Sequence, residues 1–204
     1  MYGFEVNNNL GEVVISSETP VYHFSNQITV SPSDPNRFAV PRSSPRDLHF
    51  YEFPVGAEIG YAKYTSFTGD PTADAIRSNL SQLTVRIYKP ISDYVTPSTS
   101  GYGIEVLDSS GDLTFTSEKE LLACDGGVVA GNGNTTFIGD AEWISPGMPV
   151  VYQQFAGGIY SVFANLLERS SQTSVKQKAV LLETAPFPLV FPFASPWNIG
   201  ALWF

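Results

Sequence analysis

Cysteine and histidine are scarce in this chain. Its 204 residues include one cysteine, Cys124, and two histidines, His23 and His49. A lone cysteine cannot form an intramolecular disulfide, and no metal cluster can be built on it. The amino end also lacks a charged region followed by an apolar one, so no secretory signal is predicted. We therefore expect folding in a reducing cytoplasm, with Cys124 as a small buried residue.

Charged residues are also few, and the balance is acidic. Only 15% of residues are charged, with 20 Asp and Glu against 11 Lys and Arg, which gives a net charge of −9. Nucleic-acid binding relies on Lys and Arg to neutralise phosphates, so a nucleic-acid partner is not expected, and neither is docking on anionic lipid. In place of charged residues, the chain is rich in Tyr, Phe, Ser, Thr, Gly and Pro. This composition is typical of an all-β protein with many turns, or of a surface that meets other proteins.

The motifs of common catalytic sites are missing. The sequence contains no HExxH, CxxC, GxSxG or P-loop pattern. His23 and His49 lie in aromatic contexts, VYHF and LHFY, where half-buried strand histidines are expected. We predict no enzyme activity, no catalytic residue, no cofactor and no metal, and only a bound calcium ion is left open. Asp and Asn are also common in turns, and turn formation is the simpler interpretation of both stretches that could bind calcium. The candidate oxygen ligands are Asp70 and Asp74 in one stretch and Asp125, Asn132, Asn134 and Asp140 in the other.

One stretch of the chain is present twice. Residues 2–18, YGFEVNNNLGEVVISSE, return without a gap as residues 102–118, YGIEVLDSSGDLTFTSE. Seven positions are identical and four more keep their chemistry. Two alternating segments can resemble each other by chance. Two copies at a period of 100 residues are too few for a solenoid, and the matching glycines favour tandem duplication of one small domain.

Each copy has the pattern of a β-hairpin. In the first copy apolar residues alternate at positions 2, 4 and 6, the turn-forming NNNLG follows, and Val13 and Ile15 share one face of a second strand. The second copy repeats this pattern around DSSG. The glycines are expected to close turns, and Glu5 and Glu105 are expected to be solvated rather than catalytic.

The rest of the chain also has the character of short strands and turns. Strands are predicted over 20–30, 48–64, 83–89, 142–155, 158–168 and 174–185, with irregular connections at 31–47, 90–101 and 124–140. The segment 70–83 is predicted to be a short helix or turn. The predicted fold is all-β, with two tandem β-sandwich-like domains, 1–96 and 97–204, each opening with the repeated hairpin.

The carboxyl end carries no charge from Thr184 to Phe204. A membrane-spanning helix needs about 20 apolar residues, but four prolines within this segment forbid a regular helix. The segment is therefore predicted to be extended and covered, either by its own domain or by a neighbouring chain. Deletion of 197–204 is expected to leave a soluble folded domain that fails to assemble. The candidate interface residues are Phe191, Phe193, Trp197, Trp203 and Phe204.

The repeated phrase resembles the opening of small tailed-bacteriophage proteins, which begin with a phrase like YGLxVxNxxGxxxxxS and are encoded among tail-tip and tail-fibre components. The resemblance covers about 34 of the 204 residues. It implies a β-sandwich fold, assembly into the virion tail and no catalysis, and it carries over no site residues. The implied partners are other virion proteins, further copies of the chain as a homo-oligomer, and a host surface receptor, with no membrane insertion.

Two other functions are compatible with the same sequence. A capsid decoration protein would share its composition, its repeat and its uncharged carboxyl end. A tail-associated glycan-degrading enzyme would need two carboxylates about 5 to 9.5 Å apart, and no sequence feature selects such a pair.

Overall fold

The structure is a computed structural model, and it describes residues 5–7, 13–16, 21–33, 35–61, 73–94, 103–122, 126–131, 135–138, 140–146, 151–186 and 198–203. The predicted all-β class is confirmed, because these residues form antiparallel strands and one four-residue helix. The strands of the first half and the helix are β1 (Glu5–Asn7), β2 (Val13–Ser16), β3 (Tyr22–Val30), β4 (Arg37–Pro41), β5 (Leu48–Glu52), β6 (Glu58–Tyr61), β7 (Ala73–Ser78), β8 (Leu83–Pro90) and α1 (Ile91–Tyr94). Those of the second half are β9 (Glu105–Leu107), β10 (Leu113–Thr116), β11 (Gly126–Gly131), β12 (Thr135–Phe137), β13 (Trp143–Pro146), β14 (Val151–Ala156), β15 (Ile159–Ser171), β16 (Ser174–Ala185) and β17 (Asn198–Trp203).

The strands form two large sheets and two hairpins. One sheet has the order β11-β17-β13-β5-β8-β3, and the other has the order β12-β16-β15-β6-β7-β4, with β14 also paired to β15. The hairpins are β1-β2 and β9-β10. By contacts the chain divides into two compact units. The first holds Met1–Gln27, Arg46–Leu48 and Arg86–Ala123, and the second holds Ile28–Pro45, His49–Val85 and Cys124–Phe204.

The second unit is a β-sandwich-like body with an apolar core. Its strands alternate between buried and accessible residues, as in β4 and β7, which is the period-two pattern of a strand with one face on a core. Burying each large apolar side chain contributes about 1.5–3 kcal/mol. The fully buried members include Phe38, Phe50, Ile59, Ile76, Leu83, Ile144 and Leu166.

The first unit contains both copies of the repeated hairpin, and their pairing is the same. Strand β1 pairs with β2 through Glu5↔Ser16, Val6↔Ile15 and Asn7↔Val13. Strand β9 pairs with β10 through Glu105↔Thr116, Val106↔Phe115 and Leu107↔Leu113. Each register is shifted by 100 residues from the other, and each has its irregularity at the corresponding position. Both predicted hairpins are thus present, with the extra residue of a β-bulge in their second strands.

The segments that follow the two hairpins pair with each other. Leu122 N–H donates to Tyr22 O at 2.9 Å, Phe24 N–H donates to Glu120 O at 2.8 Å, and His23 bridges antiparallel to Leu121. Tyr22 and Leu122 are 100 residues apart, which is the period of the repeat. They therefore occupy equivalent positions in the two copies, and each position pairs with its own equivalent. A local two-fold axis between the copies would produce this pattern. The arrangement supports a duplication of this unit, which stays a prediction.

The predicted boundary between residues 96 and 97 does not separate the two units. Within the second unit, β5 pairs with β13 and β6 pairs with β15, so strands from both halves of the chain share each sheet. Within the first unit, both hairpins occur together. The physical reason is that backbone hydrogen bonds join strands far apart in sequence, which a division by composition cannot detect. The two compact units therefore do not coincide with the ranges 1–96 and 97–204.

Several local predictions are corrected as well. Residues 73–78, predicted as helix or turn, form β7, because β4 and β6 pair with it on both sides and override the helix-forming alanines. The single helix within the described ranges, α1, follows Pro90 in a stretch predicted to be irregular. The connection predicted at 31–47 contains strand β4, and the one predicted at 124–140 contains strands β11 and β12.

Candidate functional site

A cluster of ionisable side chains, of which Asp74 and His49 are buried, is the first candidate. Asp74 on β7 meets Arg42, in the loop after β4, and His49 on β5. Asp74 Oδ2 accepts a hydrogen bond from Arg42 Nη2 at 2.8 Å and lies 3.0 Å from His49 Nδ1. The His49 side chain is only 2% exposed. The Asp74 carboxylate thus binds the guanidinium of Arg42 and joins β7 to the loop after β4, while the imidazole of His49 beside it is closed to solvent.

His23 is the second histidine, and it is also buried in a strand. Its Nδ1 lies 3.0 Å from Phe24 O, and the residue is 6% exposed. Burial lowers the pKa of His23 below 6.5, and the positive charges of Lys119 and Lys89 lower it further, against the raising effect of the Phe24 carbonyl. The imidazole is therefore neutral at physiological pH. Such a ring suits packing rather than cation binding.

Arg169 on β15 is a buried charge that the sequence did not single out. Its Nη1 donates to Phe53 O and to Ala141 O, both at 2.6 Å, and its Nη2 and Nε donate to Gln172 O and Ser171 O. Burial lowers the pKa of Arg169, and nearby Glu142 and Asp140 oppose that shift. One guanidinium thus satisfies carbonyls from three separate segments. No sequence signal marks it, since its burial arises only when distant strands meet.

Strands β6, β15 and β16 carry a ladder of ion pairs on an accessible face. Lys178 Nζ lies 2.5 Å from Glu58 Oε1 and 3.7 Å from Glu168 Oε2, and Lys176 Nζ lies 3.0 Å from Glu168 Oε1. The hydrogen bond to Glu58 raises the pKa of Lys178. Surface pairs of this kind contribute at most about 1 kcal/mol each, so the ladder marks a solvated face rather than a binding site.

Beyond this ladder, β14, β15 and β16 continue as a three-stranded segment, residues 151–165 and 179–185, which we refer to as the arm. Residues 154–159 are all exposed in succession. Successive residues of a strand point to opposite faces, so the arm is accessible on both faces here. Among its exposed apolar side chains Phe155 is 62% exposed, and Ile159 and Leu181 are each 49% exposed. Phe155 packs against Tyr160 with a ring separation of 4.6 Å.

The arm is almost free of charge. Residues 151–167 contain no charged side chain, and Glu183 is the one charge within the arm. An exposed surface that is both apolar and uncharged is typical of a contact with another protein. Its sequence signal is the long uncharged run, which the strand predictions at 142–155 and 158–168 covered without identifying an exposed surface.

The predicted interface residues fall mostly outside the described part of the chain. Phe191, Phe193, Trp197 and Phe204 lie beyond the described residues. Trp203 ends β17, which pairs on one side with β11 and on the other with β13. The final strand is therefore an inner strand of its own sheet, which bears on the expected effect of deleting it.

The calcium ligands left open by the sequence are not brought together in the described residues. Asp74 is occupied by Arg42 and His49, and Asp140 is exposed. Asp70, Asp125, Asn132 and Asn134 lie outside the described ranges, as does Cys124. Among described residues no group of three or more His, Cys, Asp or Glu is placed to hold a metal ion. The part of the chain that the structure describes also has no helix long and apolar enough to cross a membrane.

Comparison with known proteins gives no relative for this chain. No protein-family model, no curated protein and no solved structure matches it.

Proposed function

We propose that this chain is a structural component of a tailed bacteriophage virion, in the tail tip or tail fibre. It makes assembly contacts there, and its exposed surfaces also contribute to host adsorption. The observation that carries the proposal is the arm, whose exposed apolar side chains on an uncharged surface suit contact with other proteins. The repeated hairpin resembles the opening of phage tail proteins, and this resemblance is the reason for proposing a phage tail as the particle.

The acidic surface supports the same assignment. A net charge of −9 disfavours association with packaged nucleic acid, so contacts in a particle are expected to be made with protein. The buried polar groups support it too. Asp74 and Arg169 are engaged in holding separate chain segments together, which makes the body rigid.

The location is tested on purified virions of a phage that encodes this chain. We expect its peptides in the particles by mass spectrometry and its density at the tail by cryo-electron microscopy. Density on the capsid shell would replace the tail assignment with capsid decoration. Particles without the protein would refute a virion role.

The assembly surface is tested with a matched pair of substitutions. Phe155→Glu places a charge on the arm, and Val55→Glu places the same charge on a turn of the body at a similar exposure, 62% against 56%. We expect F155E to lower the yield of particles containing the protein by at least about tenfold, since a buried unpaired charge at an interface costs several kcal/mol. V55E should assemble normally. Equal yields for both variants would contradict assembly through the arm.

A further inference from the structure

The outer edge of the arm is open for pairing. Strand β14 pairs with β15 from Val151↔Ala164 to Ala156↔Ile159, with no register shift. No other described strand pairs with β14. The backbone N–H and C=O groups on its outer side are therefore free to pair with another strand, within the part of the chain that the structure describes.

Strand β14 lacks the features that usually protect an edge. Its sequence, VYQQFA, has no charge and no proline, and its register has no bulge. Natural proteins blunt exposed edges with such features because an unprotected edge recruits other strands. Strand β16, at the other side of the arm, shows the contrast. It carries Lys178 and Glu183, and its pairing with β15 shifts opposite Val162 and Phe163.

We propose that β14 pairs with β14 of a second copy of this chain, antiparallel across a two-fold axis, so that two arms form one continuous sheet. The chain carries a net charge of −9, so two copies repel each other over most of their surface. The run from 151 to 167 is uncharged, so it is a place where copies can approach without that repulsion. It offers no acidic groups that would select a basic partner instead.

The geometry suits a closed dimer. Antiparallel pairing of identical strands is isologous, so it closes after two copies and does not continue into a fibre. Gln153 and Gln154 occupy the middle of the six-residue strand. An axis near the centre of β14 therefore places these two strand positions on or next to the two-fold, where each copy meets the same residues of the other.

The test is sedimentation velocity on the purified full chain over a range of concentrations. We expect the wild-type protein to shift from monomer to dimer as its concentration rises. The double variant Q153E/Q154E places four like charges near the axis, and its dissociation constant should rise by about 100-fold or more. The control S81E/Q82E adds the same two charges per chain at adjacent exposed positions between β7 and β8, outside the arm, and it should dimerise like the wild type. Far-ultraviolet circular dichroism checks that each variant keeps its strand content.

A charge-swap experiment separates self-pairing of β14 from a general effect of added charge. Q153K/Q154K should also be monomeric alone, and mixing it with Q153E/Q154E should restore a dimer of one chain of each kind. Self-pairing through β14 is refuted if the wild type stays monomeric at all concentrations, if both double variants of β14 dimerise like the wild type, or if the mixture stays monomeric. It is equally refuted if the S81E/Q82E control loses its dimer. The test uses pure protein, so its outcome does not depend on the proposed place in a virion.

Discussion

In the second hairpin, residues that the sequence shares with the first copy act on the local backbone. Ile104 N–H donates to Ser117 Oγ at 2.9 Å, and Ser117 N–H donates back to Ile104 O at 2.9 Å. A Cβ on Gly103 would lie 3.0 Å from that hydroxyl oxygen, so glycine leaves room for the pair. Gly111 has a φ of +87° in the turn, a region that side chains other than glycine seldom adopt. The repeated identities thus preserve a hairpin, which is why they indicate ancestry more than activity.

Arg169 gives the first prediction at this scale. Arg169→Met keeps most of the side-chain volume but removes the donors to Phe53 O, Ala141 O and Gln172 O. Unpaired buried polar groups cost about 1–3 kcal/mol each, so we expect the free energy of unfolding to fall by at least about 3 kcal/mol. Urea unfolding followed by tryptophan fluorescence measures the change. Arg37→Met, on an exposed position of β4, is the control and should cost under about 0.5 kcal/mol.

His23 gives a second prediction, on pH. Burial lowers the pKa of His23 below its ordinary value of 6.5, so the unfolded chain binds the proton more readily than the folded one. The stability that His23 contributes is therefore complete above about pH 6.5 and is lost as the pH falls below it. We expect the free energy of unfolding to drop as the pH falls below about 6.5, and His23→Gln should flatten that slope. An unchanged slope in H23Q would show that other groups cause the dependence.

At the scale of elements, the turn at the tip of the arm depends on two glycines. Gly157 and Gly158 connect β14 to β15 with φ values of +61° and +82°. A two-residue hairpin turn of type I′ needs positive φ at both positions.

Substitutions in this turn are expected to act on the arm alone. Gly158→Val puts a β-branched side chain at positive φ, and the strain of about 1–2 kcal/mol should speed amide exchange in β14 by about tenfold. Gly157→Asn is the control, because Asn-Gly suits the same turn and should keep the protection. Hydrogen-exchange mass spectrometry measures both. Equal exchange in the two variants would mean that strain at this turn does not control the arm.

Elements set by nearby residues could be predicted from the sequence, and elements set by distant partners could not. The hairpins follow from alternation around a turn, and the strand predicted at 174–185 has the same bounds as β16. Strand β7 was predicted as a helix or turn because its alanines carry no strand signal, and its pairing with β4 and β6 decides its structure. In the candidate site, the uncharged run 151–167 can be read from the sequence. Its exposure cannot, because it depends on which parts of β15 pair with β6.

At the scale of the whole molecule, the order of strands in the sheets is the part that the sequence hides. The six-stranded sheet draws β5 from the first half and β13 and β17 from the second. Such pairings carry no local signal, because each strand would look the same beside any neighbour of similar hydrophobicity. The proposed duplication is visible in the sequence only through the hairpins, whose turn residues are fixed by backbone geometry.

The final strand provides the last prediction. Strand β17 pairs with all of β11, from Gly126↔Trp203 to Gly131↔Asn198, and with β13 from Ile144↔Trp203 to Pro146↔Ala201. Deleting 197–204 removes an inner strand and leaves backbone groups of two neighbours unpaired. We therefore expect an unfolded or aggregated product, in place of the soluble domain expected from the sequence. Size-exclusion chromatography with circular dichroism distinguishes these outcomes.

Removal of Phe204 alone is the matched control for this deletion. Phe204 follows β17, so its loss leaves every pair of that strand in place, and the shortened chain should fold with the stability of the full one. If Phe204 contacts another chain, this variant should be soluble yet fail to enter assembled particles. A soluble, folded product of the longer deletion would contradict the role of β17 as an inner strand. Without β17, the backbone groups of β11 and β13 that pair with it would have no hydrogen-bond partners.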